Sequence, residues 1–152
     1  MEGEQGQGVK KDKDEVMKVV LDTNIVFSAM LQSGKRFRDI LFFENAEFYS
    51  CKYLIIELFK HKEKIVKYSE LREEVVLEIL YKILKNIHFI NEDLISEDNL
   101  IVAYNLCKKI DEKDTMFVAL TLELDGVLWT SDKRLKKGLQ KKGFGKFFEK
   151  KI

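Results

Sequence analysis

The stretch Val19-Val20-Leu21-Asp22-Thr23-Asn24 decides how the chain is read. Met17 to Leu21 is a short apolar run with two β-branched valines, the pattern of a strand buried on both faces of a parallel sheet. The run stops on a carboxylate, which places Asp22 at the strand's carboxyl end. In an open α/β sheet that edge is where ligands bind. Asp22 is equally well read as the N-cap of the helix that follows it. What separates the two readings is the company it keeps. Val127 to Thr130 is a second apolar strand, and Trp129-Thr130-Ser131-Asp132 again ends it close to an acid. Glu57 lies at the flank of a helical apolar stripe. Asp111 and Asp114 precede the strongly apolar segment Met116 to Leu124, so a helix starting there carries acids at its positive end. Acids gathered on one edge repel one another unless a divalent cation neutralises them. An all-oxygen donor set suits Mg²⁺ or Mn²⁺ rather than zinc.

Working outward, strands alternate with helices or helix pairs. Periodicity predicts helices over Ile25 to Leu31 and Arg36 to Phe43, and a short strand over Glu47 to Cys51. The stripe Leu54, Ile55, Leu58, Phe59, Ile65 and Val66 predicts one continuous helix, Tyr53 to Tyr68. Ser69 is placed as the N-cap of the next helix, which turns Val75, Val76, Ile79, Leu80 and Ile83 inward. A strand over Ile87 to Ile90, a helix capped by Ser96 or Asp98 and running to Cys107, a helix over Thr115 to Leu124 and a short basic helix opened by Asp132 complete the series. Such alternation implies a parallel sheet with helices on both faces, and right-handed crossovers put all strand carboxyl ends on one edge.

The 152 residues suit a single domain, expected over 17–152, with residues 1–16 as a flexible, Gly- and Lys-rich tail. A hydrophobic content of 45 % excludes a disordered chain. No apolar run is long enough to span a membrane, and the start lacks the apolar core of a signal peptide. Cys51 and Cys107 stand far apart without a CxxC pair, so they are read as reduced thiols of a cytoplasmic protein. With His61 and His88 the only histidines, nucleophile–histidine catalysis is poorly supplied. His61, four residues after Glu57, is read as a bystander.

The net charge of +1 hides an asymmetry. Residues 133–151 hold nine Lys or Arg against one acid, Glu149, so the rest of the chain is acidic. A basic end beside an acidic body fits a phosphate-bearing partner, although a solvated Lys-rich face explains the charge alone equally well. Phe144, Phe147 and Phe148 interleave with these lysines and are read as core packing in preference to base stacking.

Taken together, Val20-Leu21-Asp22-Thr23-Asn24, Glu57 in its helix, Asp114 ahead of Phe117-Val118-Ala119-Leu120, and Trp129-Thr130-Ser131-Asp132 resemble the PIN-domain ribonucleases, in particular the small stand-alone, toxin-like branch. The resemblance runs from Lys18 to Gln140. It implies a Rossmann-like three-layer α/β/α sandwich with a central parallel sheet of four or five strands. It also implies RNA cleavage dependent on one or two Mg²⁺ or Mn²⁺ ions, with Asp22, Glu57, Asp114 and Asp132 as the acidic quartet. Asp111 matches an additional upstream acid. Whether Asp111 or Asp114 is the inner ligand stays open, with Asp114 favoured because it heads the buried helix. Asn24, Thr130 and Ser131 map onto supporting polar positions. Lys133, Arg134, Lys136 and Lys137 then lie where they can grip the RNA backbone. Many small stand-alone members of this family are toxins neutralised by a cognate antitoxin, others act in RNA processing or decay, and homodimers are frequent in the family.

Three other readings compete. A non-cleaving PIN-like module would bind RNA as a scaffold or in RNA processing. A haloacid-dehalogenase-like phosphatase needs an acid two residues after its nucleophile, where this chain has Asn24. A receiver domain needs an acidic pair after its first strand, and none accompanies Asp22.

Overall fold

Four strands alternate with helices through residues 16–149, the part of the chain that this computed structural model describes. In order they are β1 (Met17–Leu21), α1 (Thr23–Met30), α2 (Lys35–Phe43), β2 (Ala46–Cys51), α3 (Tyr53–Lys60), α4 (Lys62–Ser69), α5 (Glu73–Lys85) and β3 (Ile87–Ile90). There follow α6 (Glu97–Cys107), α7 (Thr115–Leu124), β4 (Val127–Trp129) and α8 (Lys133–Lys141), with 3-10 turns at Glu92–Leu94 and Glu112–Asp114. The tail expected over 1–16 lies, but for Val16, outside the described residues.

All strand pairs are parallel, in the order β3-β2-β1-β4. β1 is therefore central, and side-chain alternation sends its residues to two different cores. Val19 and Leu21 pack with α1 to α5, through Ile25, Leu54, Val76 and Ile83. Val20 packs with α6, α7 and α8, through Ala103, Val118, Leu120 and Leu135. Helices thus cover both faces, and the fold is the expected α/β/α sandwich. Beyond β4, Leu128 makes a single parallel bridge to Phe147, with the Leu128 amide donating to the Lys146 carbonyl at 2.8 Å and the Phe148 amide to that of Leu128 at 2.8 Å. The sheet described thus has four strands and, in place of a fifth, this short strap.

The strap settles the role of its aromatic residues. Phe144 and Phe147 are buried in the second core, and Phe148 packs against Trp129 with ring centroids 5.2 Å apart. Both cysteines are buried and free. Burial pushes the Cys51 thiol up to about 12 and the Cys107 thiol up to about 11, so neither is a thiolate at neutral pH.

Two local expectations fail. The single helix over Tyr53 to Tyr68 is broken at His61, whose backbone leaves the helical region (φ −115°, ψ 20°) and whose amide is shared between the carbonyls of Glu57 and Leu58. The apolar stripe survives the break because Leu54, Leu58 and Ile65 all still reach the first core. Ser69 is not an N-cap but the last residue of α4. Its hydroxyl donates to the Val66 carbonyl and accepts from the Leu71 amide, easing the turn through left-handed Glu70 (φ 61°). α5 starts instead after Arg72, without a side-chain cap but with Glu73 and Glu74 in its first turn. Of the two caps considered for α6, Ser96 is the one used, accepting from the Asn99 amide.

Gly126 sets how closely β4 can approach β1. A Cβ there would stand 2.5 Å from the Lys18 carbonyl oxygen, and backbone cannot yield as a flexible side chain would. Gly126→Ala is expected to lower stability by about 1–3 kcal/mol, seen as a lower urea midpoint. An unchanged midpoint would show that the two strands have slack.

A carboxylate site at the sheet edge

The strand order places the site. From β1 the chain winds outward to β2 and β3, then returns to add β4 on the other side of β1. The ends of β1 and β4 therefore flank the point where the winding reverses, the crevice in which open α/β sheets bind ligands. Register pairs Leu21 with Trp129, which sets Asp22 beside Thr130.

Asp22 is only 3 % exposed. It caps α1 by accepting from the Ile25 amide at 3.2 Å, so the capping interpretation is structurally real. Its burial has an electrostatic consequence a surface cap lacks. Desolvation pushes the carboxyl from an ordinary 3.8 up to about 6, against hydrogen bonds from the Thr130 hydroxyl and the Ile25 amide, and the Asp132 charge adds to the rise. Asp132 caps α8 in the same manner, accepting from the Leu135 amide at 3.0 Å. The Asp132 amide donates to Thr130 Oγ1 at 3.1 Å. Thr130 thus stands between the two strand-end acids and is bonded to both residues.

Glu57, half-buried on α3, enters from the first helical layer. Its Oε1 accepts from the Thr23 hydroxyl, tying α3 to the start of α1. Asp114 enters from the second layer. Burial pushes its carboxyl up to about 7, helped by the charges of Asp22, Asp111, Asp132 and Glu57, in that order. Asp114 is thus the point at which all five acids are felt together. Asp111 differs from it: its carboxylate caps the 3-10 turn by accepting from the Lys113 amide at 3.0 Å. Asp114 makes no capping bond.

Among the described residues no three His, Cys, Asp or Glu side chains stand close enough to form a ready-made set of metal ligands. The donor chemistry nevertheless fits Mg²⁺ or Mn²⁺. The acids supply oxygen alone, the neighbouring charges raise the proton affinity of Asp114, and such ions are held by one or two carboxylates with waters completing the shell.

The remaining expected positions divide. Asn24 and Ser131 are both exposed at this edge, on α1 and just after β4. Lys133, Arg134 and Lys137 line an open groove of about 490 Å³ with Lys109 and Lys141, over a floor of Ile110 and Gly138. None of these five cations pairs with an acid among the described residues. Lys136 is not in the groove. It faces the strap, bonded to Glu149 at 2.8 Å and lying over the Phe147 ring. Three residues of the edge and the groove were not expected from the sequence: Thr23 at the edge, and Lys109 and Lys141 in the groove. Thr23 was in view inside Asp22-Thr23-Asn24, and Lys141 follows Lys133 and Lys137 at helical spacing. Nothing local marks Lys109.

Comparison with known proteins bears on the family and the fold. A family model described as PIN domain matches residues 20–147. The fold is similar to the crystal structure of PAE2754 from Pyrobaculum aerophilum, at 11 % identity over 80 % of this chain and 79 % of that one, with a TM-score of 0.58. It is also similar to VapBC2 from Rickettsia felis, solved bound to a DNA fragment from their promoter, at 16 % identity over 80 % and 92 % of the chains, with a TM-score of 0.55. No curated protein matches the chain. With most of its length covered by the family model, the chain belongs to the PIN-domain family, whose members are generally nucleases.

Proposed function

We propose that this chain is a metal-dependent endoribonuclease, a single catalytic domain over 17–152 that hydrolyses RNA phosphodiester bonds at the β1–β4 edge. What carries this reading is that the charges of Asp22, Asp111, Asp132 and Glu57 all act on the half-buried Asp114, beside a groove lined by five cations that pair with no acid among the described residues. Asp22, Asp114 and Asp132 are the residues that would hold one or two Mg²⁺ or Mn²⁺ ions, with Glu57 completing the set and Asp111 as an outer acid. Bound there, such an ion supplies Lewis-acid chemistry, lowering the pKa of water and neutralising charge on the phosphoryl oxygens. Glu57, fixed by Thr23, orients the attacking water for in-line approach to phosphorus. Thr130 keeps Asp22 and Asp132 in register, and Asn24 and Ser131 offer polar contacts at the rim. The likeness to VapBC2 supports a cognate antitoxin as partner, and the toxin-like reading carries with it a cytoplasmic, dimeric protein.

The test is cleavage of defined single-stranded RNAs with Mg²⁺ or Mn²⁺, comparing the natural chain with Asp132→Asn. RNA left intact by the natural chain, or cut equally by both, rejects the reading.

Groove lysines should bind the phosphates of the strand. Removing one such lysine reduces the slope of log affinity against log salt by about 0.7 on single-stranded RNA. Lys137→Ala and Lys141→Ala are each expected to do so. Lys136→Ala, which removes a strap ion pair, should leave the slope unchanged. Equal slopes for all three variants would dismiss the groove as the backbone track.

A further inference from the structure

The acid edge continues into a pocket that the proposed chemistry leaves unused. α1 and α3 both begin at the site: Asp22 caps α1, and Thr23 on α1 is bonded to Glu57 on α3. One helical turn beyond that bond, about 5.4 Å along each axis, come Phe27 and His61. Their rings meet edge to face with centroids 5.7 Å apart at 75°. From the other side α4 contributes Lys64, Ile65 and Tyr68, and the five residues line an open pocket of about 290 Å³. The break at His61 is what makes this possible, because it turns α4 back across α1.

The lining has a definite chemistry. Ile65 is buried and Phe27 half-buried, so the floor is apolar and fixed. Tyr68 is 55 % exposed, and Lys67 lies over its ring with the ammonium 5.6 Å from the centroid, so much of the ring stays open to a ligand and a second cation stands near it. Lys64, exposed on the rim, supplies a positive charge, and the His61 imidazole adds a polar edge. Flat aromatic walls, an apolar floor and a cation at the mouth suit a planar π-system that carries a phosphate.

We propose that this pocket receives one unpaired base of the RNA, from a nucleotide adjoining the phosphate that is cut. The inference rests on the nuclease reading for its substrate. It adds what that reading lacks: a contact to a base, and with it a requirement for a single strand. Base stacking on aromatic side chains tolerates any base because every base has a π-face. In a duplex the bases are held in the stack, so only an unpaired or extruded base can enter. A volume of about 290 Å³ is ample for one base. His61 thereby becomes a wall of the substrate site. An apolar side chain of a protein partner is the competing occupant.

The experiment measures binding of a short fluorescent single-stranded RNA to the full chain carrying Asp22→Asn, in EDTA. Strands with one abasic nucleotide, walked along the sequence, provide the comparison. At one position loss of the base is expected to weaken binding about tenfold. Tyr68→Ala should abolish that difference, bringing the complete strand down to the abasic level and leaving the abasic strand's affinity unchanged. His61→Ala provides a second variant with the same expectation. The proposal is overturned if no position is sensitive. It is equally overturned if Tyr68→Ala weakens complete and abasic strands alike, or changes neither, the last being the result for a pocket that serves a protein side chain. Cleavage by the natural chain with Mn²⁺ separates the two readings. Cutting without any abasic penalty overturns the pocket alone, whereas an abasic penalty without cutting overturns the nuclease.

Discussion

Asp22→Asn is expected to reduce RNA cleavage by about a hundred- to a thousandfold and, in EDTA at neutral pH, to make the folded chain more stable. The two effects have one cause. The carboxylate is 3 % exposed, and desolvation holds its carboxyl up to about 6 in the folded chain. Ionised at neutral pH, it opposes folding by up to about 3 kcal/mol, a two-unit rise at about 1.4 kcal/mol per unit. Asn removes that charge and keeps the cap, since Asn and Asp are equivalent N-caps. The Thr130 hydroxyl can turn to accept from the new amide. A melting temperature several degrees higher follows, at about 2–4 °C per kcal/mol for a chain of this size. On the nuclease reading, activity falls because one of the acids proposed to hold the metal has lost its charge. Circular dichroism melts beside a cleavage time course decide it. A variant that melts well below the natural chain, or that still cuts, sinks the idea that the charge is kept for function at the expense of stability.

The second large effect concerns pH and divalent ions together. Without divalent ions, stability should fall as pH rises from about 5 to about 8. Asp22 and Asp114 are held up to about 6 and about 7, above the ordinary 3.8. The folded chain therefore binds more protons than the unfolded chain across that interval. Their contribution to stability is fully present below about 4 and is lost as pH climbs through the two folded values. Mn²⁺ or Mg²⁺ should flatten or reverse this slope, because cation and proton compete for the same carboxylates and whatever binds only the folded state stabilises it. The rise in melting temperature on adding Mn²⁺ should thus be large at about pH 8 and small at about pH 5. A rise that is the same at both ends, or that persists in Asp114→Asn, would mean that the cation binds elsewhere.

How much of this was legible in the residues differs by the range of the forces involved. β1 and β4 were readable because a short apolar run bounded by an acid has few alternatives, and the acids were placed by the strands they end. The sandwich followed from alternation alone. The break at His61 was not readable. No Gly or Pro marks it, and the 3.6-residue stripe continues across it because both halves face one core. Ser69 misled for a related reason: a serine just before a helix and one closing a helix look alike until the left-handed Glu70 between them is seen. The lysines of 133–151 formed one undivided charge in the sequence. Helical geometry sends Lys133, Lys137 and Lys141 to one face and Lys136 to another, and only the strap, through Glu149 and Phe147, shows that the second face is already taken. The bond between Thr23 and Glu57 joins residues 34 apart and lay beyond any local pattern.

The pairing of Leu21 with Trp129 has a consequence for how the chain guards its own correctness. Leu128 belongs to one core and Trp129 to the other. A slip of β4 by one residue would exchange them and turn each to the wrong face. The same slip would part Thr130 from Asp22 and carry Asp132 away from Asp114. For this strand, a register that breaks the cores therefore also breaks the alignment of the acids. A copy of the chain that closes its two cores has, by that act, already aligned its acids, and quality control of the fold serves as quality control of the site.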